Sequence, residues 1–259
     1  LANQIKADEI SVRVIIIPGM NYPAFKAGKR TSPIDGGNMN RVFPGNPEGT
    51  FTEKIADYFN RKLLPMADYV VDFHSGGKTL DFLPFCCAHV LDDKEQQEKC
   101  IAAMKAFNAP HSVMLLEIDA VNMYDTAAEN MGKVFISTEL GGGGSTTAYT
   151  VEIAKKGIRN ILRHAGITEG DLEVDETLNL DMPDDNCYIF SESTGLVEHC
   201  VDLGDEVKSG QLIAKVHNIE RTGSPPDEYH AKIDGIFTGK HFPGLVVNGD
   251  FLGVIAVPV

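Results

Sequence analysis

The sequence predicts an α/β fold in its first part and an all-β region after it. Residues 1 to about 168 alternate short apolar runs, typical of buried strands, with segments whose apolar residues recur at helical spacing. This alternation favours a sheet covered by helices. Residues 187–259 contain no convincing helical period, and the stretch between, 169–185, is rich in acidic residues and has the composition of a linker.

Four apolar runs of the first region are strand candidates. They are Val12–Ile17, Tyr69–Phe73, Val113–Ile118 and Val134–Thr138.

Three segments of the first region predict helices. One begins after Thr50, where Glu53 completes a capping box. The others run from about Asp93 to Phe107 and from about Thr150 to Ala165, the last followed by Gly166 as a C-cap.

The all-β region, 187–259, carries a weak internal repeat. Each copy begins with a glycine and two apolar residues, continues through two more glycines, and ends in another apolar run; the copies start at Gly195 and Gly235. Two similar strand–turn–strand units predict a small two-fold β barrel or sandwich. The sequence therefore suggests two domains, 1–168 and 187–259.

Composition limits the classes of partner. The net charge of −14 disfavours a nucleic acid or an anionic membrane surface, and no apolar stretch approaches the roughly 20 residues of a membrane span. The five cysteines are odd in number and form no C-x-x-C pair, which favours reduced thiols in a cytoplasmic protein. The chain starts with Leu1 and enters a strand pattern almost at once, so we expect a natural N-terminal segment to be missing.

Two strand candidates end in residues with catalytic chemistry. His74 follows the second, with Asp72 two positions earlier on the same face, and Glu139 follows the fourth, before the glycines 141–144. Ligands of open α/β sheets bind beyond the carboxyl ends of strands. A lone strand-end histidine is more often structural, and Glu139 could simply pair with a lysine. The glycine run argues for a close backbone approach instead, because ordering it costs entropy.

A loop with two arginines and two asparagines adds a third cluster. Arg30 opens it, and Asn40 and Arg41 stand near its end. Guanidinium groups suit carboxylates and developing oxyanions. On composition alone, a solvated surface loop is an equal alternative.

Together and in this order, three motifs resemble the succinylglutamate desuccinylase/aspartoacylase family. They are Asn40-Arg41-Val42-Phe43-Pro44-Gly45, Val71-Asp72-Phe73-His74-Ser75 and Ser137-Thr138-Glu139-Leu140-Gly141. The resemblance covers about residues 12–165 and implies a zinc hydrolase with a carboxypeptidase-like mixed sheet flanked by helices, followed by a small β domain.

The resemblance also implies a role for each site residue. His74 would be a zinc ligand oriented by Asp72, and Glu139 the catalytic carboxylate. Arg30 would stabilise the oxyanion, although its spacing to Arg41 is stretched by a few residues. Asn40 and Arg41 would bind the substrate carboxylate.

One departure concerns the zinc ligands. The family's H-x-x-E pair is absent ahead of His74, and the H-x-x-E formed by His217 and Glu220 lies in the β region, where a strand would point the two side chains to opposite faces. We expect the first two ligands upstream of Leu1, so zinc binding by these 259 residues alone is in doubt. The β region also resembles biotinyl/lipoyl domains, but residues 216–221, where those domains carry the modified lysine, contain none.

Within the family, three stretches look most like the N-acetyl-diaminobutyrate deacetylases of ectoine degradation. They are residues 20–25, 30–35 and 72–77. The expected activity is zinc-dependent hydrolysis of a small N-acyl amino acid, best Nα-acetyl-L-2,4-diaminobutyrate rather than succinylglutamate or acetylaspartate, by an enzyme that could form homo-oligomers. The alternatives are a zinc carboxypeptidase acting on peptides and a metal-free binding protein that keeps the fold.

Overall fold

The structure, a computed structural model, describes residues 2–3, 5–6, 10, 12–115 and 121–259. The helices are α1 (Tyr22–Ala27), α2 (Phe51–Tyr58), α3 (Lys94–Phe107), α4 (Tyr124–Glu129) and α5 (Ala148–His164). The strands are β1 (Tyr69–His74), β2 (Leu80–Phe82), β3 (Phe85–His89), β4 (His111–Leu115), β5 (Val134–Glu139), β6 (Leu178–Met182), β7 (Tyr188–Phe190), β8 (Gly195–His199), β9 (Glu206–Val207), β10 (Leu212–His217), β11 (Asp227–His230), β12 (Gly235–His241), β13 (Leu245–Val246) and β14 (Phe251–Pro258).

The strands form two sheets, and the larger is mixed. Its order is β1-β5-β3-β4-β6-β14-β12-β2, with β7 beside β14 and β9 beside β12. β1 and β5 are parallel, whereas β3 runs antiparallel to β5. The second sheet, of order β11-β10-β8-β13, is antiparallel. A mixed sheet with helices, accompanied by a second β layer, confirms the predicted fold class.

The predicted helices are confirmed. Thr50 and Glu53 form the expected capping box at the start of α2, and the Asp93 carboxylate caps α3. On α5, Gly157 lies against the Phe107 ring of α3, where an added Cβ would come within 2.3 Å of the ring. That close approach explains a glycine in the middle of a helix, where it would otherwise be unfavourable.

The strands at Tyr69 and Val134 are also confirmed, and the third candidate coincides with β4 as far as Leu115. Residues 116–118 of that candidate lie outside the described residues.

The predicted strand Val12–Ile17 is wrong. Its described residues, 12–17, form no strand, and Val12, Ile15, Ile16 and Ile17 are 41–49% exposed. A strand requires hydrogen bonds to a neighbour, and the described residues provide no paired neighbour for this segment. The apolar residues of 12–17 were therefore not sufficient evidence for a strand.

The acidic stretch 169–185 is not a plain linker. It contains β6, which pairs with β4 and β14 in the large sheet. Earlier in the stretch, the Glu173 backbone exchanges two hydrogen bonds with the Asn160 side chain of α5, at 2.8 and 2.9 Å. Leu180 and Met182 are buried and form the apolar face of β6. The acidic residues around them made this strand difficult to predict from the sequence. The division into domains 1–168 and 187–259 stays a prediction.

The predicted β repeat is present as two interlocked units. The first unit contains β8, β9 and β10, and the second contains β12, β13 and β14. Each unit's short middle strand pairs with the other unit, since β9 pairs with β12 and β13 with β8. The equivalent residues Val207 and Val246 are fully buried in the shared core. No helix within the described ranges is both long and apolar enough to span a membrane.

Candidate active site

The structure places His74 and Glu139 side by side. They are the last residues of the parallel strands β1 and β5, and their Cα atoms are register partners. The Leu140 amide donates to the His74 carbonyl at 3.0 Å, and the His74 amide donates to Thr138 Oγ1 at 3.2 Å. Because parallel strands end at the same edge of a sheet, the two side chains meet there, as predicted.

Asp72 orients the His74 ring. Its Oδ2 lies 2.8 Å from His74 Nε2, which leaves Nδ1 as the nitrogen available to a ligand. Loss of water around the ring lowers the pKa of His74, although the side chain keeps 43% exposure. The hydrogen bond to Asp72 and the charges of Asp72, Glu139 and Asp125 outweigh that effect and raise the pKa to about 9.

Glu139 is a buried carboxylate with an unused oxygen. Its Oε2 is shielded from solvent and has no hydrogen-bond partner among the described residues. Burial raises the pKa of Glu139 to about 7, helped by Asp72 and opposed by the charges of His74 and Arg30. An unpartnered buried carboxylate is costly to stability, so its presence points to a functional use.

The glycines after the two strands allow the loops behind them to touch. The Gly76 amide donates to the Gly141 carbonyl at 2.9 Å, and the Gly143 amide donates to the Leu80 carbonyl at 3.0 Å. A Cβ at Gly142 would come within 2.0 Å of the Leu80 oxygen. The close approach inferred from the glycine run is therefore made by the chain's own loop 76–80.

Asn40 and Arg41 lie on a short 3₁₀ turn fixed by its neighbours. Met39 and Phe43, on either side, are buried in one apolar cluster. Asn40 Oδ1 accepts a 2.7 Å hydrogen bond from the Tyr124 amide at the start of α4, and the exposed Arg41 donates to the Asn40 carbonyl at 2.6 Å. The motif is thus tied to α4, a connection that the sequence did not reveal.

Arg30 lies in an exposed turn after α1, close enough for its charge to lower the pKa of Glu139. Asp35 holds this loop on α2, because its carboxylate accepts from the Thr52 amide at 2.6 Å, the Thr52 hydroxyl at 2.8 Å and the Gly37 amide at 3.0 Å.

Sequence reasoning missed Tyr124 and Asp125. The Tyr124 ring packs against Phe43, Phe59 and Phe135, and burial together with the Asp72 charge raises the pKa of its hydroxyl. Both belong to α4, a helix too short to give a periodic signal.

The described residues do not form a zinc site by themselves. None of their His, Cys, Asp and Glu side chains come together in a group of three able to hold a metal ion, whereas a catalytic zinc takes three protein ligands. His74 supplies one. His217 binds Glu198 at 2.6 Å in the second sheet, so the H-x-x-E of the β region does not replace the missing pair.

A cavity of about 460 Å³ lies elsewhere, between α5 and residues 173–176. Four of its charged side chains form two ion pairs with one another: Lys156 with Asp175 and Arg159 with Glu173. The candidate catalytic residues His74 and Glu139 lie away from it, at the ends of β1 and β5.

A model of the succinylglutamate desuccinylase/aspartoacylase catalytic domain matches residues 1–165. The chain belongs to this family. It is 52% identical to the N-alpha-acetyl-L-2,4-diaminobutyric acid deacetylase of Halomonas elongata, over 99% of this chain and 75% of that protein.

Solved structures agree in fold. The product-bound ectoine utilization protein EutE (DoeB) of Ruegeria pomeroyi matches with a TM-score of 0.97 at 60% identity, covering 99% of this chain and 78% of that one. A succinylglutamate desuccinylase from Silicibacter sp. matches with a TM-score of 0.96 at 57% identity, covering 100% and 78%. These relatives support a hydrolytic deacylase.

We predict that Asp35→Asn destabilises the fold at neutral pH. The hydrogen bonds from Thr52 and Gly37 hold the pKa of Asp35 at about 2, against the effect of burial. The contribution is present above the unfolded-state pKa of about 3.9 and is lost as the pH falls through about 2. Urea unfolding at pH 7 should show a loss of about 1 kcal/mol after allowance for solvent screening.

The difference between Asp35→Asn and the native protein should shrink below about pH 4. Asp92→Asn, at an exposed aspartate, is the control and should leave stability unchanged. Equal stability of native protein and Asp35→Asn at pH 7 would contradict this role.

Proposed function

We propose that this chain belongs to a zinc-dependent deacylase that hydrolyses the amide of a small Nα-acyl amino acid, with Nα-acetyl-L-2,4-diaminobutyrate as the best substrate. One observation supports the reaction above all: His74 and Glu139 end neighbouring parallel strands, and Glu139 Oε2 is buried with no hydrogen-bond partner among the described residues. Similarity to the N-alpha-acetyl-L-2,4-diaminobutyric acid deacetylase of Halomonas elongata supports the choice of substrate.

Glu139 acts as the proton-transfer group. A general base works best with a pKa near the operating pH, and burial raises that of Glu139 to about 7. Its free Oε2 takes the proton of the attacking water and passes it to the leaving amine. Arg30 stabilises the negative charge on the former carbonyl oxygen, and Asn40 and Arg41 bind the α-carboxylate.

Zinc is part of the proposal, with two ligands coming from residues outside these 259. When bound, zinc polarises the amide carbonyl and acidifies water. His74, held by Asp72, presents Nδ1 as the third ligand. The free thiols of all five cysteines favour the cytoplasm as the place of action.

The substrate assignment is tested on the full-length enzyme. Its kcat/KM should be higher for Nα-acetyl-L-2,4-diaminobutyrate than for acetylaspartate or succinylglutamate, because the site's three carboxylates repel a dianion. A preference for either dicarboxylate by more than about tenfold, or 1.4 kcal/mol, would refute the substrate. Cleavage of C-terminal residues from peptides at a higher rate would favour a carboxypeptidase.

Glu139→Gln should lower kcat by at least about 100-fold while folding and zinc content are preserved, because the amide cannot accept the proton. Steady-state kinetics, circular dichroism and elemental analysis of the full-length variant measure kcat, folding and zinc content. Glu152→Gln, at a carboxylate on the outer face of α5 that pairs with Lys155, is the matched control and should turn over normally. Near-normal turnover of Glu139→Gln would remove Glu139 from the mechanism.

His74→Ala should abolish stoichiometric zinc in elemental analysis of the full-length protein, because a catalytic zinc does not survive with two protein ligands. His217→Ala, which removes the histidine bound to Glu198 in the second sheet, should retain zinc. Full zinc retention by His74→Ala would show the histidine to be structural.

A further inference from the structure

We propose that Asp125 determines specificity by pairing with the cationic side chain of the substrate, while Arg41 pairs with its α-carboxylate. The inference rests on the proposed function and adds a residue to it: the substrate class becomes Nα-acyl amino acids that carry a side-chain ammonium.

Asp125 lies on a helix that is fixed at both ends. At the start of α4, the Tyr124 amide binds Asn40 Oδ1 at 2.7 Å, so the helix is attached to the Asn-Arg motif. At its end, Glu129 Oε1 lies 2.8 Å from His89 Nδ1, and both side chains are buried. Asp125 therefore follows directly the residue whose backbone binds Asn40.

The same helix packs on the strand that ends in Glu139. The Tyr124 and Phe135 rings meet edge to face at 5.9 Å, which places α4 on β5. The Asp125 charge contributes to the raised pKa of His74 on β1 and of Cys87 on β3, the two strands that flank β5. Asp125 therefore faces the centre of the site rather than the outer surface.

The Asp125 carboxylate has a free oxygen. Both hydrogen bonds that it accepts within the described chain go to Oδ1, from the Thr126 amide at 2.6 Å and the Thr126 hydroxyl at 3.3 Å. Oδ2 is left available, and the side chain is only partly exposed. A half-buried carboxylate held by one oxygen offers the other to a cation at low entropic cost.

Charge balance favours the same assignment. Asp72, Asp125 and Glu139 are the carboxylates acting on His74, and the charges of His74 and Arg30 act on Glu139. Asp72 is hydrogen-bonded to His74, and Glu139 is used in the proton transfer. Asp125 is therefore the carboxylate that remains for the substrate. A second carboxylate on the substrate would meet repulsion there, whereas an ammonium would be attracted.

The test compares Asp125→Asn with the native full-length enzyme on two substrates of the same shape. Nα-acetyl-L-2,4-diaminobutyrate carries the ammonium, and Nα-acetyl-L-norvaline has a methyl group in its place. The variant should lose about 10- to 100-fold in kcat/KM on the first, mainly through KM, since a charged hydrogen bond is lost. On norvaline the change should stay within about threefold, because no such bond exists there.

Asp92→Asn is the matched control, because it also removes one carboxylate charge. Asp92 follows the end of β3 that is remote from Glu139. Its substitution should change kcat/KM on neither substrate. Calorimetry should show weaker binding of the product 2,4-diaminobutyrate to Asp125→Asn.

Each outcome supports or contradicts either the role of Asp125 or the proposed function. Equal losses of kcat/KM on both substrates would show that Asp125 only stabilises α4, and would overturn the proposal. An unchanged kcat/KM on the cationic substrate would overturn it as well. If the native enzyme prefers a dicarboxylate, the proposed function fails. Unchanged binding of 2,4-diaminobutyrate by Asp125→Asn overturns the role of Asp125 whichever substrate is preferred.

Discussion

The parallel pairing of β1 with β5 is the constraint on which the site depends. Six residue pairs run in register from Tyr69–Val134 to His74–Glu139. The pairing continues past the strands, where the loops at Gly76 and Gly141 join through backbone hydrogen bonds. A slip of one residue would turn every side chain to the other face of the sheet. The loop contacts that only glycines permit therefore help to hold the imidazole and the carboxylate together.

That arrangement of charged groups lowers the stability of the folded state. Glu139 Oε2 is buried without a hydrogen-bond partner among the described residues, and burial and the Asp72 charge both raise the pKa of Glu139. Like charges and lost solvation both oppose folding. Such strain persists where the surroundings over-determine it. Here β5 is hydrogen-bonded to β1 on one side and to β3 on the other, and these pairings hold the two groups together.

The short helix α4 connects the parts of the site that are far apart in sequence. It binds Asn40 at its start and His89 at its end, and it packs on β5 through Tyr124. Removing His89 would take away the hydrogen bond that the buried Glu129 carboxylate makes at this end of the helix. The turn of Asn40 and Arg41, the strand β5 and Asp125 thus keep one relative position through a six-residue helix.

Local signals were enough to determine β1, β5, the capped helices α2 and α3, and the two-fold β repeat, because apolar period, capping residues and turn glycines act within a few residues. The same signals predicted that His74 and Glu139 meet. Only tertiary structure decided that 12–17 is not a strand, that the acidic stretch contributes β6, and that the Cys-rich β3 lies beside β5. The position of Asp125 near His74 was likewise decided by tertiary structure, through the docking of α4. Strand pairing and helix docking bring together residues distant in sequence, and no local pattern records the partner.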